Sequence, residues 1–155
     1  PGLPDDAPVP SSDAFAAVDR ALAAFRAGAE PRDLATDGWV TQQWQRFLHG
    51  LGSVPPERLA GLDAEFALTR SGNSEVLSAW LEVGVRNGYR GVDRRLELFL
   101  ATVGRRKFLK PLYEALLASD GGRERALVIY QRARPRYHAV SQRTIDALLG
   151  VDGSR

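Results

Sequence analysis

The feature that most constrains this chain is the period of its apolar residues, which return every three or four positions along nearly its whole length. In SSDAFAAVDRALAAFRAG, Phe15, Val18, Leu22 and Phe25 form one stripe, with Ser12 placed as N-cap and Gly28 as stop. WVTQQWQRFLHGLG puts Val40, Trp44, Phe47, Leu48 and Leu51 on a shared face, and PPERLAGLDAEFALT opens on proline and aligns Leu59, Leu62 and Phe66. NSEVLSAWLEVGVRNG has Asn73 or Ser74 as cap, Val76, Leu77, Trp80, Leu81 and Val85 inside, and Asn87-Gly88 as terminator. GVDRRLELFLATVG aligns Val92, Leu96, Phe99 and Val103. RRKFLKPLYEALLASDGG aligns Phe108, Leu112 and Leu116 beside Leu109, Tyr113 and Leu117, with Pro111 expected to restrict the first turn. RERALVIYQRARP carries Leu127 and Tyr130 and ends before Pro135, and AVSQRTIDALLG brings Ile145, Leu148 and Leu149 together.

No segment alternates as a strand. Short connections join the helical segments, as between antiparallel neighbours. The expected fold is all-α: about eight helices in two antiparallel layers, arranged as an armadillo- or HEAT-like right-handed superhelix. No repeat signature accompanies it. At 155 residues, 44% of them hydrophobic, the chain has enough apolar surface for one core without disulfides or a structural metal. Residues 11–150 read as the helical domain and 151–155 as a tail. Residues 1–10, PGLPDDAPVP, have neither the basic start nor the apolar stretch of a signal peptide, and read as a Pro-stiffened linker leading in from a longer chain. No apolar run approaches the ~20 residues that span a bilayer. The expectation is a cytoplasmic protein without a membrane partner.

The residues for hydrolytic chemistry are missing from this sequence. There is no cysteine, and His49 and His138, the two histidines, stand in no zinc-binding spacing. His49 reads as a helix C-terminal residue favoured by the dipole, and His138 as a solvent-facing one. Serines fall at caps and turns, with no G-x-S-x-G elbow, and Gly121-Gly122 joins two helices rather than cradling a phosphate. Catalytic residues, metal ligands and a cofactor of this segment's own are therefore not expected. Trp44 and Trp80 lie at core positions, and Trp39 beside a loop.

Charge is unevenly spread. The net value is +2, yet residues 86–136 hold thirteen Lys/Arg against five Asp/Glu, while residues 1–85 hold six against twelve. Both lysines of the chain, Lys107 and Lys110, lie with Arg105 and Arg106 within six residues at the start of one helix. Three readings fit such a cluster: a solvated helix end, a nucleic-acid contact, or a seat for a negatively charged substrate group. The first has no help from local stability, because cations at a helix N-terminus oppose the dipole by a few tenths of a kcal/mol. The residues alone leave the solvated and the functional readings even.

Several segments in order carry a resemblance. PGLP with its linker and helix, WVTQQWQRFL, NSEVLSAWL, and above all GRRKFLKPLYEALL ahead of ALVIYQRARPRYH are similar to the C-terminal domain of the leukotriene A-4 hydrolase family of zinc aminopeptidases, from Pro1 to about Leu149. In that family a β-rich N-terminal domain, a thermolysin-like catalytic domain with H-E-x-x-H plus a distant Glu, and a layered helical C-terminal domain surround a deep cleft. The resemblance implies that this chain is the last third of such an enzyme. Zinc, its ligands and the general base would then lie in the parent's catalytic domain. The implied partners are the catalytic and N-terminal domains of the same chain and a short peptide substrate, with no nucleic acid.

It also implies a site. In the family's G-R-x-K-F segment the Arg binds the substrate carboxylate and the Lys assists, roles that fall here on Arg105 and Lys107 of Gly104-Arg105-Arg106-Lys107-Phe108. A planar guanidinium grips a carboxylate through two parallel hydrogen bonds, and a lysine adds a point charge. Arg106 and Lys110 receive no role. The competing expectation is a stand-alone helical scaffold whose basic half binds an acidic protein or RNA. A steep salt dependence of RNA affinity would mark it.

Overall fold

The structure, a computed structural model, describes residues 11–151. The expected linker, its PGLP and the tail from residue 152 onward lie outside the described residues. Those described fold into eight α-helices: α1 Ser12–Arg26, α2 Thr41–Gly50, α3 Pro56–Phe66, α4 Ser74–Arg86, α5 Asp93–Thr102, α6 Arg106–Leu117, α7 Gly122–Ala133 and α8 Ala139–Leu149. Four single 3-10 turns join them, and there is no strand among the described residues. The all-α expectation holds. Helices α1, α2, α4, α6 and α8 pack as a row in chain order, while α5 and α7 pack on each other and α7 also leans on α6.

The stripes read from the sequence form the core. Val18, Phe25, Phe47, Leu59, Leu62, Trp80, Leu96, Leu109, Leu112, Ile145 and Leu149 are buried in one continuous cluster. Trp39 and Trp44 pack edge-to-face with ring centroids 4.9 Å apart, and Trp44 meets Phe66 at 5.1 Å. Both rings are half-buried against the core rather than arranged as a recognition surface.

Three local expectations are corrected. The cap of α1 is Ser11, not Ser12, because the Ser11 hydroxyl reaches the Ala14 N–H at 3.2 Å. Val40 leaves the apolar face of α2 and is 48% exposed at its N-cap. Its N–H donates to Gln43 Oε1 at 2.9 Å, and the buried Gln43 also donates to the Ala14 carbonyl, so one side chain caps α2 and ties it to α1. Finally, α6 starts at Arg106, which puts Pro111 in its second turn, where the missing N–H leaves the Lys107 carbonyl without its helical donor.

Helix α8 is held by a polar cluster. Asp146, 8% exposed, accepts two parallel bonds from Arg134, at 2.9 and 2.8 Å, and lies 2.5 Å from the Tyr130 hydroxyl of α7. The Arg134 guanidinium holds the Asp146 carboxyl below its ordinary range, with the Tyr130 hydroxyl adding to it against the opposing effect of burial. The stability contributed by that shift is present above the unfolded value near pH 4 and is lost as pH falls through the lower folded value. Asp146→Ala is expected to cost about 2–3 kcal/mol in urea unfolding at pH 7. The gap to the unmodified protein should narrow at about pH 3; a gap that stays constant with pH would exclude a charged Asp146 as the cause.

Candidate functional site

The basic segment forms the entry to α6, and two grooves flank it. The larger, about 780 Å³, runs between the starts of α6 and α8 and is lined by Arg105, Arg106, Lys107, Lys110, His138 and Ser141 among others. Its described lining residues include no aspartate or glutamate. The smaller, about 180 Å³, opens on the other side toward α2 and α4, where Lys107, Phe108 and Pro111 face Gln45, His49, Glu75 and Glu82.

Arg105 is the N-cap residue of α6, in extended backbone, and its side chain does not cap the helix. Its carbonyl accepts from both Phe108 N–H and Leu109 N–H, at 3.0 and 3.1 Å. The N–H groups of Arg106 and Lys107, first and second in the helix, have no helical acceptor and point toward its open end. The Arg105 guanidinium carbon lies 5.6 Å from the centroid of the buried Phe108 ring, near enough for cation–π attraction. Phe108 in turn packs on Phe99 at 5.9 Å. A core residue thus steadies an exposed cation.

Lys107 is differently placed. Its ammonium is 2.6 Å from Glu75 Oε1 in the first turn of α4, and Glu75 Oε2 accepts from Gln45 Nε2 at 3.2 Å. The two predicted site residues therefore share a helix start and the Phe108 ring, from which Lys107 Nζ is 4.9 Å. Only Lys107 is engaged by a carboxylate. For Arg105, Arg106 and Lys110 no ion pair occurs among the described residues. Sequence reasoning passed over Arg106 and Lys110; their i, i+4 spacing puts them on one face, and α8 makes that face a groove wall.

The walls are fixed from below. Ser141 Oγ of α8 donates to the Gly104 carbonyl at 2.9 Å, which ties the two helix starts together. Beneath them Tyr137 donates to the Leu100 carbonyl at 2.6 Å and lies 3.0 Å, hydroxyl to hydroxyl, from Tyr113. Burial pushes the Tyr113 phenol up and the Tyr137 phenol to about 12, so both stay neutral. His138, the N-cap of α8, is exposed, as is His49 in the last turn of α2.

Elsewhere the basic half is neutralised in part. A cavity of about 600 Å³ near the α6–α7 turn contains Arg86, Arg90 and Arg125, but Asp93 pairs with Arg90 at 2.6 Å and with Arg125 at 3.1 Å. Arg86 pairs with Glu82 at 3.0 Å, and Arg123 donates to the Leu149 carbonyl at 2.6 Å. Arg94, Arg95, Arg132 and Arg136 make no ion pair among the described residues. No group of three or more His, Asp or Glu among the described residues is placed to hold a metal ion. No helix among them is long and apolar enough to cross a membrane.

Comparison with known proteins matches residues 39–149 to the family described as leukotriene A4 hydrolase, C-terminal. Leucine aminopeptidase 2 of Ajellomyces capsulatus is 28% identical over 165 residues, covering 99% of this chain and 26% of that protein. Leucine aminopeptidase 2 of Neurospora crassa is 28% identical over 125 residues, 78% of this chain and 18% of that protein. Aminopeptidase RNPEPL1 of Mus musculus is 31% identical over 128 residues, 80% of this chain and 18% of that protein. The chain spans about a quarter or less of the length of these relatives.

Proposed function

Because the chain belongs to the leukotriene A4 hydrolase C-terminal family, we propose that it is the helical C-terminal domain of a zinc aminopeptidase, which shapes the substrate cleft and supplies Arg105 to bind a peptide's terminal carboxylate. In this reading residues 11–150 are the domain, residues 1–10 the linker from the catalytic domain, and 151–155 a tail. Zinc and the hydrolytic groups belong to other domains of the same parent chain, which are its partners together with short peptides.

The observation that supports the reading is a guanidinium that makes no ion pair among the described residues, at the head of a groove whose described lining holds no carboxylate. A carboxylate entering there meets Arg105 as a two-pronged donor and the two open N–H groups of α6 behind it. Lys107, held on Glu75, acts on the same anion through its charge and not as a free arm. Anchoring the terminal carboxylate favours short peptides with free C-termini and aligns the scissile bond, so it affects turnover as well as affinity.

In the full-length protein, Arg105→Ala is expected to lower kcat/KM for a tripeptide by about thirtyfold. The C-terminal amide of the same tripeptide, already a poorer substrate, should lose little. Equal losses for acid and amide would remove the carboxylate role from Arg105.

A further inference from the structure

The groove between α6 and α8 holds more positive charge than one carboxylate uses. A terminal carboxylate on Arg105 leaves Arg106 and Lys110, a turn apart on the α8 side of α6, with no anionic neighbour among the lining residues. Lys107 is not the surplus, because Glu75 already meets it across the other groove. Where Arg90 and Arg125 come together, by contrast, Asp93 pairs with both. Two like charges four residues apart repel each other on a helix, and neither makes an ion pair among the described residues, not even with Glu114 a turn beyond Lys110.

We infer that Arg106 and Lys110 form a second subsite that selects peptides whose C-terminal residue is itself acidic. The inference rests on the reading of Arg105 as the carboxylate clamp. An aspartate or glutamate at the C-terminus carries two carboxylates within one residue's reach. The first lies on Arg105 and the open N–H groups; the second is directed along α6 onto Arg106 and Lys110. The groove, at about 780 Å³, has room for such a residue, and Val140 on the opposite wall offers an apolar contact for its methylenes. The Ser141 bond to Gly104 keeps the two walls at this spacing.

The test uses the full-length protein and tripeptides alike in their first two residues, ending in Glu, in Gln, or in Gln amide. The Glu peptide is expected to show about fivefold higher kcat/KM than the Gln peptide at low salt, a size suited to partly exposed charge pairs. That advantage should shrink toward parity in about 0.5 M NaCl. The double variant Arg106→Gln/Lys110→Gln should erase it while leaving the Gln peptide within about twofold of its original rate, which also shows that the variant is folded. Equal rates for Glu and Gln peptides, with acid still preferred over amide, overturn the second subsite and leave the clamp standing. A Glu advantage that survives the double variant overturns it as well. Loss of the preference for acid over amide overturns the clamp and, with it, this inference.

Discussion

Trp80→Ala is expected to cost about 3–5 kcal/mol, lowering the melting temperature by about 10 °C. Trp80 is fully buried at the middle of α4 and packs edge-to-face on Tyr89 at 5.8 Å. Truncation leaves a cavity where α4 meets the Leu68–Arg70 3-10 turn and the chain leading to α5, and surrounding structure relaxes only partly into such a cavity. It also breaks a chain of hydrogen bonds: Trp80 Nε1 donates to Thr69 Oγ1 at 2.9 Å, Thr69 Oγ1 to Asp63 Oδ2 at 2.6 Å, and the Tyr89 hydroxyl to the same carboxylate oxygen at 2.7 Å. Trp80→Phe keeps most of the volume and loses the N–H, so it should cost about 1–2 kcal/mol. Urea unfolding followed by circular dichroism separates the two. A loss below about 1 kcal/mol for the alanine variant would contradict the burial of Trp80.

Gly122→Ala is expected to be nearly as damaging, at about 3 kcal/mol, although it adds one methyl group. A Cβ at Gly122 would stand 1.7 Å from the carbonyl oxygen of Leu116, a backbone atom in the last turn of α6 that no rotamer change can move. The start of α7 would have to lift off α6, taking Tyr130 away from Asp146 and so loosening α8. The neighbouring residue supplies the control. Gly121 has φ +68° with open space around its Cβ position, so Gly121→Ala meets only the strain of the left-handed region, about 1 kcal/mol. Similar losses at the two positions would show that α6 and α7 are not in the close contact described here.

Much of this was legible because helical periodicity is a local signal. The α4 stripe shows it best: Val76, Leu77, Trp80, Leu81 and Val85 were all expected inside and all are buried. Local ambiguity explains the errors. Adjacent serines at 11 and 12 offer the same cap to the eye, and only the reach of a hydroxyl to Ala14 N–H distinguishes them. Val40 fits the period but precedes the first turn, where a side chain is no longer carried onto the buried face. For the site, residue types and spacing brought out the cluster at 105–110, and family resemblance singled out Arg105 and Lys107. What the sequence lacked were the long-range partners. Glu75 meets Lys107 from 32 residues away and Ser141 meets Gly104 from 37 away, contacts decided by how α4 and α8 pack beside α6. The same packing makes a groove wall of Arg106 and Lys110, which along the chain look like ordinary surface charges.

A row of helices that follows chain order also turns a gradient along the sequence into one along the molecule. The acid-rich stretch before residue 86 supplies α1 to α4, and the basic stretch after it supplies α5 to α7 and the wall that faces α8. Charges sorted in this way give this helical segment an electric dipole along the row. Within a Debye length, about 8 Å at physiological salt, a negatively charged surface or peptide exerts a torque that turns the basic end toward it. The groove between α6 and α8 lies at that end, so the orientation that brings it forward is favoured before any contact forms.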